Sequence, residues 1–148
     1  MSIEVRTATA RDRKKLQQFY SREGLSFERI ASRTATIPMG TSSETMFIIA
    51  VTDDMICAAM KLDIGDSPEI GKIGFIQHFE IEDEFETTGL GERMLLEAEN
   101  IARERNLRAL DTIISEGRPD IIKLYEHADF EAEHTEIYMR RQFRNRVF

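Results

Sequence analysis

Short apolar stretches predict strands along most of the chain. Residues 3–6 alternate between apolar and polar, as a half-buried strand does. Residues 46–51 (MFIIAV) are apolar throughout, and the turn-forming pair Asp53 and Asp54 joins them to a hairpin partner at residues 55–64. Four more strands are predicted: residues 72–82, residues 109–115, a short one near Phe130, and residues 135–141.

Apolar residues at helical spacing predict four helices, which span residues 9–22, 25–36, 89–106 and 119–127. Thr9 is a suitable N-cap for the first helix, and Pro119 suits the first turn of the last. Hairpins are mixed with strand–helix–strand units, so we expect a mixed sheet in an α/β fold. The length of 148 residues fits one domain, residues 1–148, because no linker or repeat divides the chain.

The composition argues against nucleic-acid-binding and membrane-spanning proteins. The net charge of −7 argues against a nucleic-acid binder, and no apolar run approaches the ~20 residues of a membrane span. Cys57 is the only cysteine, and the charged N-terminus lacks an apolar signal core, so a cytoplasmic location is the expectation. The sequence offers no convincing cluster of metal ligands. Acidic residues concentrate at 80–86 (EIEDEFE), and the last nine residues hold Arg140, Arg141, Arg144 and Arg146.

The segment 81–91 (IEDEFETTGLG) carries the main chemical signal. A predicted strand ends there, and Gly89 and Gly91 open the longest helix. Glycines allow close backbone approach, and the first turn of a helix presents unpaired N–H groups with partial positive charge. Together these features favour a phosphate-binding turn, to which Thr87 and Thr88 can add hydroxyl donors. Glycine pairs before helices are common, so a plain tight turn is the alternative.

Two motifs in register resemble those of the GNAT N-acetyltransferase superfamily. The first runs from Ile81 to the two glycines and is similar to the family's strand–loop–helix motif with Gly-x-Gly/Ala. The second, Leu124-Tyr125-Glu126-His127-Ala128-Asp129-Phe130, is similar to Leu-Tyr-Glu-x-x-Gly-Phe. The order of elements also matches over residues 3–141. The resemblance implies a GNAT fold: a mixed central sheet with helices on both faces, in which strands 4 and 5 splay apart.

The resemblance further implies that acetyl-CoA binds as co-substrate and that the acetyl group passes to an amine. The backbone of Phe79 and Ile81 would pair with the pantetheine arm, and Arg118 occupies a position that touches the cofactor in many relatives. The diphosphate would be held by the loop and helix start: Glu86, Thr87, Thr88, Gly89, Leu90, Gly91 and Glu92.

Tyr125 occupies the general-acid position of the family. A phenol there could protonate the leaving thiolate or hold it by a hydrogen bond; the alternative is a core tyrosine with a satisfied hydroxyl. The general base is less clear. The positions at even offsets before Ile81 (Phe79, Gln77 and Phe75) cannot act as bases.

The remaining candidates for the base are His78, Glu80 and, after the next strand, Glu116. His78 and Glu80 point to the other face of the sheet unless a bulge shifts the register. For each of the three, a surface or structural role is the alternative. A water chain, or an amine of low pKa, would remove the need for a base.

Two departures from the family pattern keep a second hypothesis open. Glu86 stands where relatives usually carry Arg or Gln, among four more acidic residues, and Asp129 replaces a glycine. A GNAT-fold binding or regulatory module with weak or no catalysis is therefore the alternative to an enzyme. In either case the expected partner is a small-molecule or peptide amine, not nucleic acid or a membrane. The opposed acidic and basic patches leave a homodimer open.

Overall fold

A five-stranded sheet forms the centre of the fold. The computed structural model describes residues 2–32 and 42–143. The strands lie in the sheet in the order of the sequence, and all neighbours are antiparallel except the last pair, which is parallel. They are β1 (Glu4–Thr7), β2 (Ser42–Thr52), β3 (Met55–Ser67), β4 (Gly71–Ile81) and β5 (Ala109–Thr112). The predicted mixed sheet is confirmed.

Helices cover both faces of the sheet, as predicted. They are α1 (Arg13–Arg22), α2 (Phe27–Ser32), α3 (Leu90–Glu104) and α4 (Pro119–His127), and short 3-10 turns lie at Ala10–Asp12 and Asp83–Phe85. On one face α1 and α2 bury Phe19, Tyr20 and Phe27 against β2 and β3. On the other, α3 and α4 pack against the opposite side chains of the same strands. None of the helices in the described residues is long and apolar enough to cross a membrane.

The α3 helix follows directly from its sequence. Its apolar residues recur every three or four positions, so one side of the helix is apolar and lies on the sheet. The buried side chains are Leu90, Met94, Leu95, Ala98, Ile101 and Ala102. The opposite face carries a Glu99–Arg103 ion pair one turn apart, at 2.7 Å. The predicted helix at 89–106 is therefore confirmed, with slightly shorter bounds.

A β-bulge interrupts β4 at His78. The register pairs Ala59 with Glu80 and then Lys61 with Gln77, so two residues of β4, at positions 78 and 79, oppose one residue of β3 at position 60. His78 has φ +50, a left-handed conformation that absorbs the extra residue. Before the bulge, the Gln77 amide donates to buried Asp63 at 2.6 Å. Asp63 lies beside Lys61, whose ammonium donates to the Ile30 carbonyl of α2. Gln77 therefore faces α2.

The bulge changes the side of the sheet towards which each later side chain of β4 points. Beyond it, Phe79 and Ile81 pack against the α3–α4 core. Glu80 instead lies opposite Ala59, a residue of the α1–α2 core, and so shares the face of Gln77. The bulge thus places Glu80 with Gln77 on the α1–α2 side, opposite to the side of Phe79 and Ile81.

The parallel strands β4 and β5 part after four residues. Their pairing runs from Ile73–Ala109 to Ile76–Thr112 and stops there. Beyond this point β4 continues to Ile81, whereas β5 ends. This opening, which we call the fork, is the splay of strands 4 and 5 that the resemblance implies.

Four predicted elements differ from the structure. The strands expected near Phe130 and at 135–141 are absent: residues 131–143 have no regular secondary structure and are exposed, and within the described chain no strand pairs with them. Alternation alone cannot form a strand without a partner. The strand predicted at 109–115 ends at Thr112. The second helix ends at Ser32, and residues 33–36 of that prediction, like Arg144 and Arg146, lie outside the described residues.

Candidate active site

The start of α3 presents unpaired backbone amides. Gly89 caps the helix with φ +79, a left-handed conformation that favours glycine. The first intrahelical bond runs from the Arg93 amide to the Gly89 carbonyl, at 3.2 Å. The amides of Leu90, Gly91 and Glu92 precede it and make no hydrogen bond to the residues that the structure describes. Such a helix start fits an anion, and its several adjacent donors suit a diphosphate.

Thr88 is more fully engaged than the sequence suggests. Its amide donates to the Phe85 carbonyl at 3.3 Å, and its hydroxyl donates to the same oxygen at 2.7 Å. Thr88 therefore closes the turn. The neighbouring Thr87 is exposed and is the threonine whose donors remain available to a ligand.

The two glycines have different roles. A Cβ atom at Gly91 would lie 2.9 and 3.1 Å from the Cδ atoms of Leu124 and 3.4 Å from Ile81 Cδ1. Gly91 thus lies where α3 packs closely against side chains of α4 and β4. A Cβ at Gly89 would meet only Glu92 Oε2, at 3.9 Å, but the backbone there is left-handed. Gly89 sets the conformation of the turn, and Gly91 sets the packing beneath it.

Acidic side chains cluster between the end of α1 and the segment that precedes this helix start. A shallow depression of about 360 Å³ is lined by Arg22, Glu23, Glu82, Asp83 and Glu84. Burial raises the pKa of Glu23, and the nearby charges of Asp83, Glu82 and Glu86 raise it further. Arg22 opposes this effect and donates to Glu82 Oε1 at 2.9 Å. The backbone thus suits an anion, while the side chains beside it suit a cation.

The backbone of β4 at the fork is free to pair with an extended ligand. The Glu82 amide donates to the Cys57 carbonyl of β3 at 2.9 Å. Because backbone groups alternate along a strand, those of Ile81 point away from β3, towards the fork, and the same alternation applies to Phe79. Past Ile76 no described strand occupies that side. These are the two residues predicted to pair with the pantetheine arm.

Tyr125 lies in the fork. It is 4% exposed, and its ring makes edge-on contacts with Phe79 of β4, at 6.3 Å between centroids, and with Phe130, at 5.0 Å. Burial raises the pKa of Tyr125 to about 12, and a side-chain hydrogen bond with Thr112 of β5 acts in the opposite direction. The hydroxyl therefore stays protonated at neutral pH and lies beside both strands.

Glu80 has the environment of a base. Burial raises its pKa first, the charges of Glu23 and Glu86 raise it further, and Arg118 lowers it. A carboxylate with a raised pKa holds a proton more firmly, which suits proton transfer near neutral pH. Glu80 also contributes to the raised pKa of buried Tyr20, which shows that it faces α1.

Of the other predicted site residues, Arg118 and His78 lie near the fork, whereas Glu116 does not. Arg118 is the N-cap of α4 and is close enough to Glu80 to lower its pKa. It therefore lies on the β5 side of the fork, across from Glu80. His78 is half-buried at the bulge, and its carbonyl accepts a hydrogen bond from Tyr20 at 2.8 Å. Glu116, in contrast, is exposed in the turn after β5.

The sequence match decides the family. Residues 9–130 match the acetyltransferase (GNAT) family. The chain belongs to the GNAT family. This range contains all the site residues described above.

Solved structures share this GNAT fold at low sequence identity. The aminoglycoside N-acetyltransferase AAC(6')-Iy, solved with the bisubstrate analogue CoA-S-monomethyl-acetylneamine, is 12% identical with a TM-score of 0.75, over 97% of this chain and 100% of that one. A ribosomal-protein-alanine N-acetyltransferase from Brucella melitensis biovar Abortus 2308 is 14% identical (TM-score 0.72, 95% and 99%).

A predicted acetyltransferase from Clostridium acetobutylicum, solved with acetyl-CoA, is 20% identical (TM-score 0.68, 94% and 96%). A comparison with curated proteins finds no match. The structural similarities establish the fold alone.

Two residues near the GNAT site were missed by the sequence reasoning. Tyr20 lies on the apolar side of α1, and its hydroxyl reaches the carbonyl of the bulge. Thr112 ends β5, donates from its hydroxyl to the Ile76 carbonyl at 2.9 Å, and also contacts Tyr125. A tyrosine within an apolar helix face and a threonine at a strand end are weak signals, because both are common in structural roles.

Proposed function

We propose that this protein is an N-acetyltransferase that transfers an acetyl group from acetyl-CoA to a primary amine. The observation that carries the proposal is that Glu80 of β4 and Tyr125 of α4 both lie at the fork. The bulge at His78 turns Glu80 to the α1 face, while Tyr125 lies between β4 and β5. Both groups have raised pKa values, which is typical of catalytic side chains.

The residues of the fork and helix start would hold the co-substrate. The free amides at the start of α3 fit its diphosphate, and the backbone of Phe79 and Ile81 fits its pantetheine arm. Arg118, on the β5 side of the fork, would provide a cation for the phosphates of acetyl-CoA. When bound, acetyl-CoA supplies the reactive thioester.

Glu80 would take a proton from the ammonium of the acceptor, directly or through a water, because an alkylammonium has a pKa of about 10 and must be neutral to attack. The new C–N bond forms at the thioester carbonyl as the C–S bond breaks, and the electron pair leaves with sulfur. A backbone amide at the fork would polarise the carbonyl oxygen.

Tyr125 would donate a hydrogen bond to the departing sulfur. A thiol has an ordinary pKa of about 8.5, whereas burial raises that of Tyr125 to about 12. Full proton transfer from tyrosine to the thiolate is therefore uphill. Tyr125 acts mainly by stabilising the negative charge that develops on sulfur.

The side chains favour a cationic acceptor. The depression beside Glu80 is lined by four acidic residues and Arg22, and the charges of Glu23 and Glu86 already oppose ionisation of Glu80. A polyamine, an aminoglycoside or a lysine side chain would relieve that repulsion on binding. In a panel of amines, cationic acceptors should have the highest kcat/KM, and faster acetylation of an anionic amine would contradict this assignment.

The test of the function begins with calorimetric titration of acetyl-CoA into the purified protein. We expect saturable binding, followed by amine-dependent release of CoA measured with a thiol reagent. The protein adds little background, because Cys57 is its only cysteine and is 2% exposed. No heat at millimolar acetyl-CoA would rule out the enzyme.

The acidic loop favours one alternative, a binding module on a GNAT scaffold. The negative side chains of Glu82, Asp83, Glu84 and Glu86 oppose an anionic ligand at the adjacent amides. That function requires negligible affinity for acetyl-CoA together with a stable partner. Turnover with any amine would exclude it.

A further inference from the structure

Gln77 lies where β4 and β5 begin to part. The last backbone pair of the two strands joins Ile76 to Thr112, so Gln77 is the first residue of β4 within the fork. After the bulge, Glu80 returns to the same side of the sheet as Gln77. The residues opposite them on β3 are two positions apart, which corresponds to about 7 Å along a strand. Gln77 and Glu80 therefore border one small region on the α1–α2 side of the fork.

A buried carboxylate fixes the direction of the Gln77 amide. Asp63 is 0% exposed, and it accepts hydrogen bonds from Gln77 Nε2 at 2.6 Å and from the Thr45 hydroxyl. The Lys61 ammonium lies 3.5 Å from the same Asp63 oxygen that Gln77 contacts. Because a carboxylate only accepts hydrogen bonds, the NH2 group of Gln77 must point towards Asp63, and Oε1 takes the other position of the amide.

The amide oxygen of Gln77 is available to a ligand. Among the residues that the structure describes, the hydrogen bond of Gln77 to another side chain is made through Nε2 alone. Within the same residues, no fully buried polar side-chain atom lacks a partner, so an unbonded Oε1 is open to solvent. The oxygen is thus a neutral acceptor of fixed direction next to Glu80.

We propose that Gln77 Oε1 accepts a hydrogen bond from the nitrogen of the acceptor, and that Gln77 thereby selects primary amines. The inference rests on the proposed function. A primary ammonium carries three protons: one passes to Glu80 before attack, one follows the electron pair to sulfur and gives the thiol of CoA, and one stays in the product amide. Gln77 holds the proton that stays, so the neutral side chain takes no proton and does not compete with Glu80.

The hydrogen bond to Gln77 strengthens during the reaction. The nitrogen gains positive charge as its lone pair attacks the thioester carbon, and an N–H on a charged nitrogen is a stronger donor. An interaction that is strongest in the transition state accelerates the chemical step. A secondary ammonium carries only two protons, and both must depart, so its nitrogen has no N–H left for Gln77 in the product.

The buried ion pair of Lys61 and Asp63 acts through Gln77. An ion pair removed from water contributes little net stability, because desolvation offsets the attraction of its charges. The pair is 0% exposed on both sides, and Lys61 also donates to the Ile30 carbonyl of α2 at 2.7 Å. Asp63 is therefore a positioning residue: its carboxylate holds the Gln77 amide in the one orientation that offers Oε1 to an amine.

The experiment compares putrescine with N,N′-dimethylputrescine at saturating acetyl-CoA. The wild type should have the higher kcat/KM for the primary amine, and in Gln77→Met this preference should fall about tenfold, as expected for one hydrogen bond to a charged group. Calorimetric affinity for acetyl-CoA should be unchanged. The matched control is Ser43→Ala, which loses a hydrogen bond from its hydroxyl to the Ile64 carbonyl and should keep the preference.

The outcomes separate this role from the proposed function. A wild type that does not bind acetyl-CoA would overturn the function and the role of Gln77 together. A wild type that binds acetyl-CoA without preferring the primary amine would overturn the role of Gln77 alone. The same conclusion would follow if Gln77→Met kept the preference or slowed both amines by the same factor.

The positioning role of Asp63 is tested with the same ratio. In Asp63→Asn, the new NH2 group can face Gln77, which allows the Gln77 amide to turn over, so the preference should fall although Gln77 is retained. The double variant Lys61→Met/Asp63→Asn, which contains neither buried charge, is measured alongside in case the single variant does not fold. An unchanged preference in a folded variant would show that Gln77 keeps its direction without the carboxylate and would overturn the positioning role.

Discussion

At the scale of single residues, the environment of each catalytic candidate matters more than its identity. Glu80 is one of five acidic residues between 80 and 86, but it is the one whose carboxyl is half-buried at the bulge and faces α1. Tyr125 is distinguished from Tyr20 by its place between the parted strands. Tyr20 lies in the α1–α2 core.

Replacement of Tyr125 by Phe should lower kcat by about a hundredfold, because the hydrogen bond to the departing sulfur is lost. The ring contacts with Phe79 and Phe130 remain, so the fold and the binding of acetyl-CoA should be unchanged. Thiol release and calorimetry measure the two quantities. Tyr138→Phe, 79% exposed, is the control, and an unaltered rate for Tyr125→Phe would remove Tyr125 from the mechanism.

Replacement of Glu80 by Gln should reduce kcat/KM by about a hundredfold or more at neutral pH. Because the pKa of Glu80 is raised, wild-type activity should fall as pH drops through a value above the ordinary range of glutamate. The variant should lack that acidic limb. The measurement is a pH profile of kcat/KM, with exposed Glu116→Gln as the control. If the acidic limb persists in the variant, another group is the base.

At the scale of secondary-structure elements, the bulge in β4 is held from both sides. The Tyr20 hydroxyl of α1 donates to the His78 carbonyl at 2.8 Å, and the register with β3 resumes on either side of the extra residue. Helix α1 is therefore coupled directly to the strand that carries Glu80.

Tyr20→Phe should lower the free energy of unfolding by about 1 kcal/mol, as expected for one hydrogen bond removed from a buried site. It should also lower kcat without a matching change in affinity for acetyl-CoA, because the position of Glu80 depends on the bulge. Urea unfolding and steady-state rates test the two effects. A change in stability with an unaltered kcat would show that the bulge holds its shape without this bond.

Gly91→Ala should cost about 1 kcal/mol of stability, because the new methyl group would lie 2.9 Å from Leu124 Cδ2. The effect should shrink in a Leu124→Ala background, where the space is vacated. Gly117→Ala is the matched control, since a Cβ there meets only Ser115 Oγ at 3.6 Å. Equal losses in both backgrounds would contradict the packing role of Gly91.

The sequence was sufficient for elements whose signal is local. The α3 helix, the hairpin at Asp53-Asp54 and the confirmed family each rest on patterns contained in a short stretch. The bulge could not be predicted, because the sequence around His78 reads as a regular strand and the extra residue becomes visible only against β3. The closing strands were predicted wrongly for the same reason: pairing depends on a partner that local alternation cannot supply.

At the scale of the whole molecule, negative charge is unevenly placed. The net charge is −7, and mutual repulsion among Glu23, Glu80, Asp83 and Glu86 contributes to the raised pKa values of Glu23 and Glu80. A carboxyl with a raised pKa binds more protons in the folded state than in the unfolded state. Its contribution to stability therefore falls as pH rises from the ordinary glutamate value through the folded one.

Glu23→Gln should consequently stabilise the protein at pH 7, by up to about 0.5 kcal/mol after solvent screening. The gain should vanish near pH 4 and diminish in high salt. Urea unfolding of variant and wild type across this pH range measures the difference, and Glu69→Gln in the exposed loop before β4 serves as control. A gain that does not depend on pH would exclude charge repulsion as its cause.

The extra residue at His78 makes the length of β4 as important as its composition. Side chains alternate between the two sides of a strand, and one additional residue in a bulge shifts that alternation by one position. If β4 paired with β3 without the bulge and kept all its residues, Glu80 would lie opposite Ala58, in the apolar layer under α3, and Phe79 would turn towards α1 in its place. The wall towards α1 would then change from acidic to apolar with no change in composition. Deletion of one residue between Gln77 and Glu80 would instead remove the bulge and leave Glu80 on the α1 side.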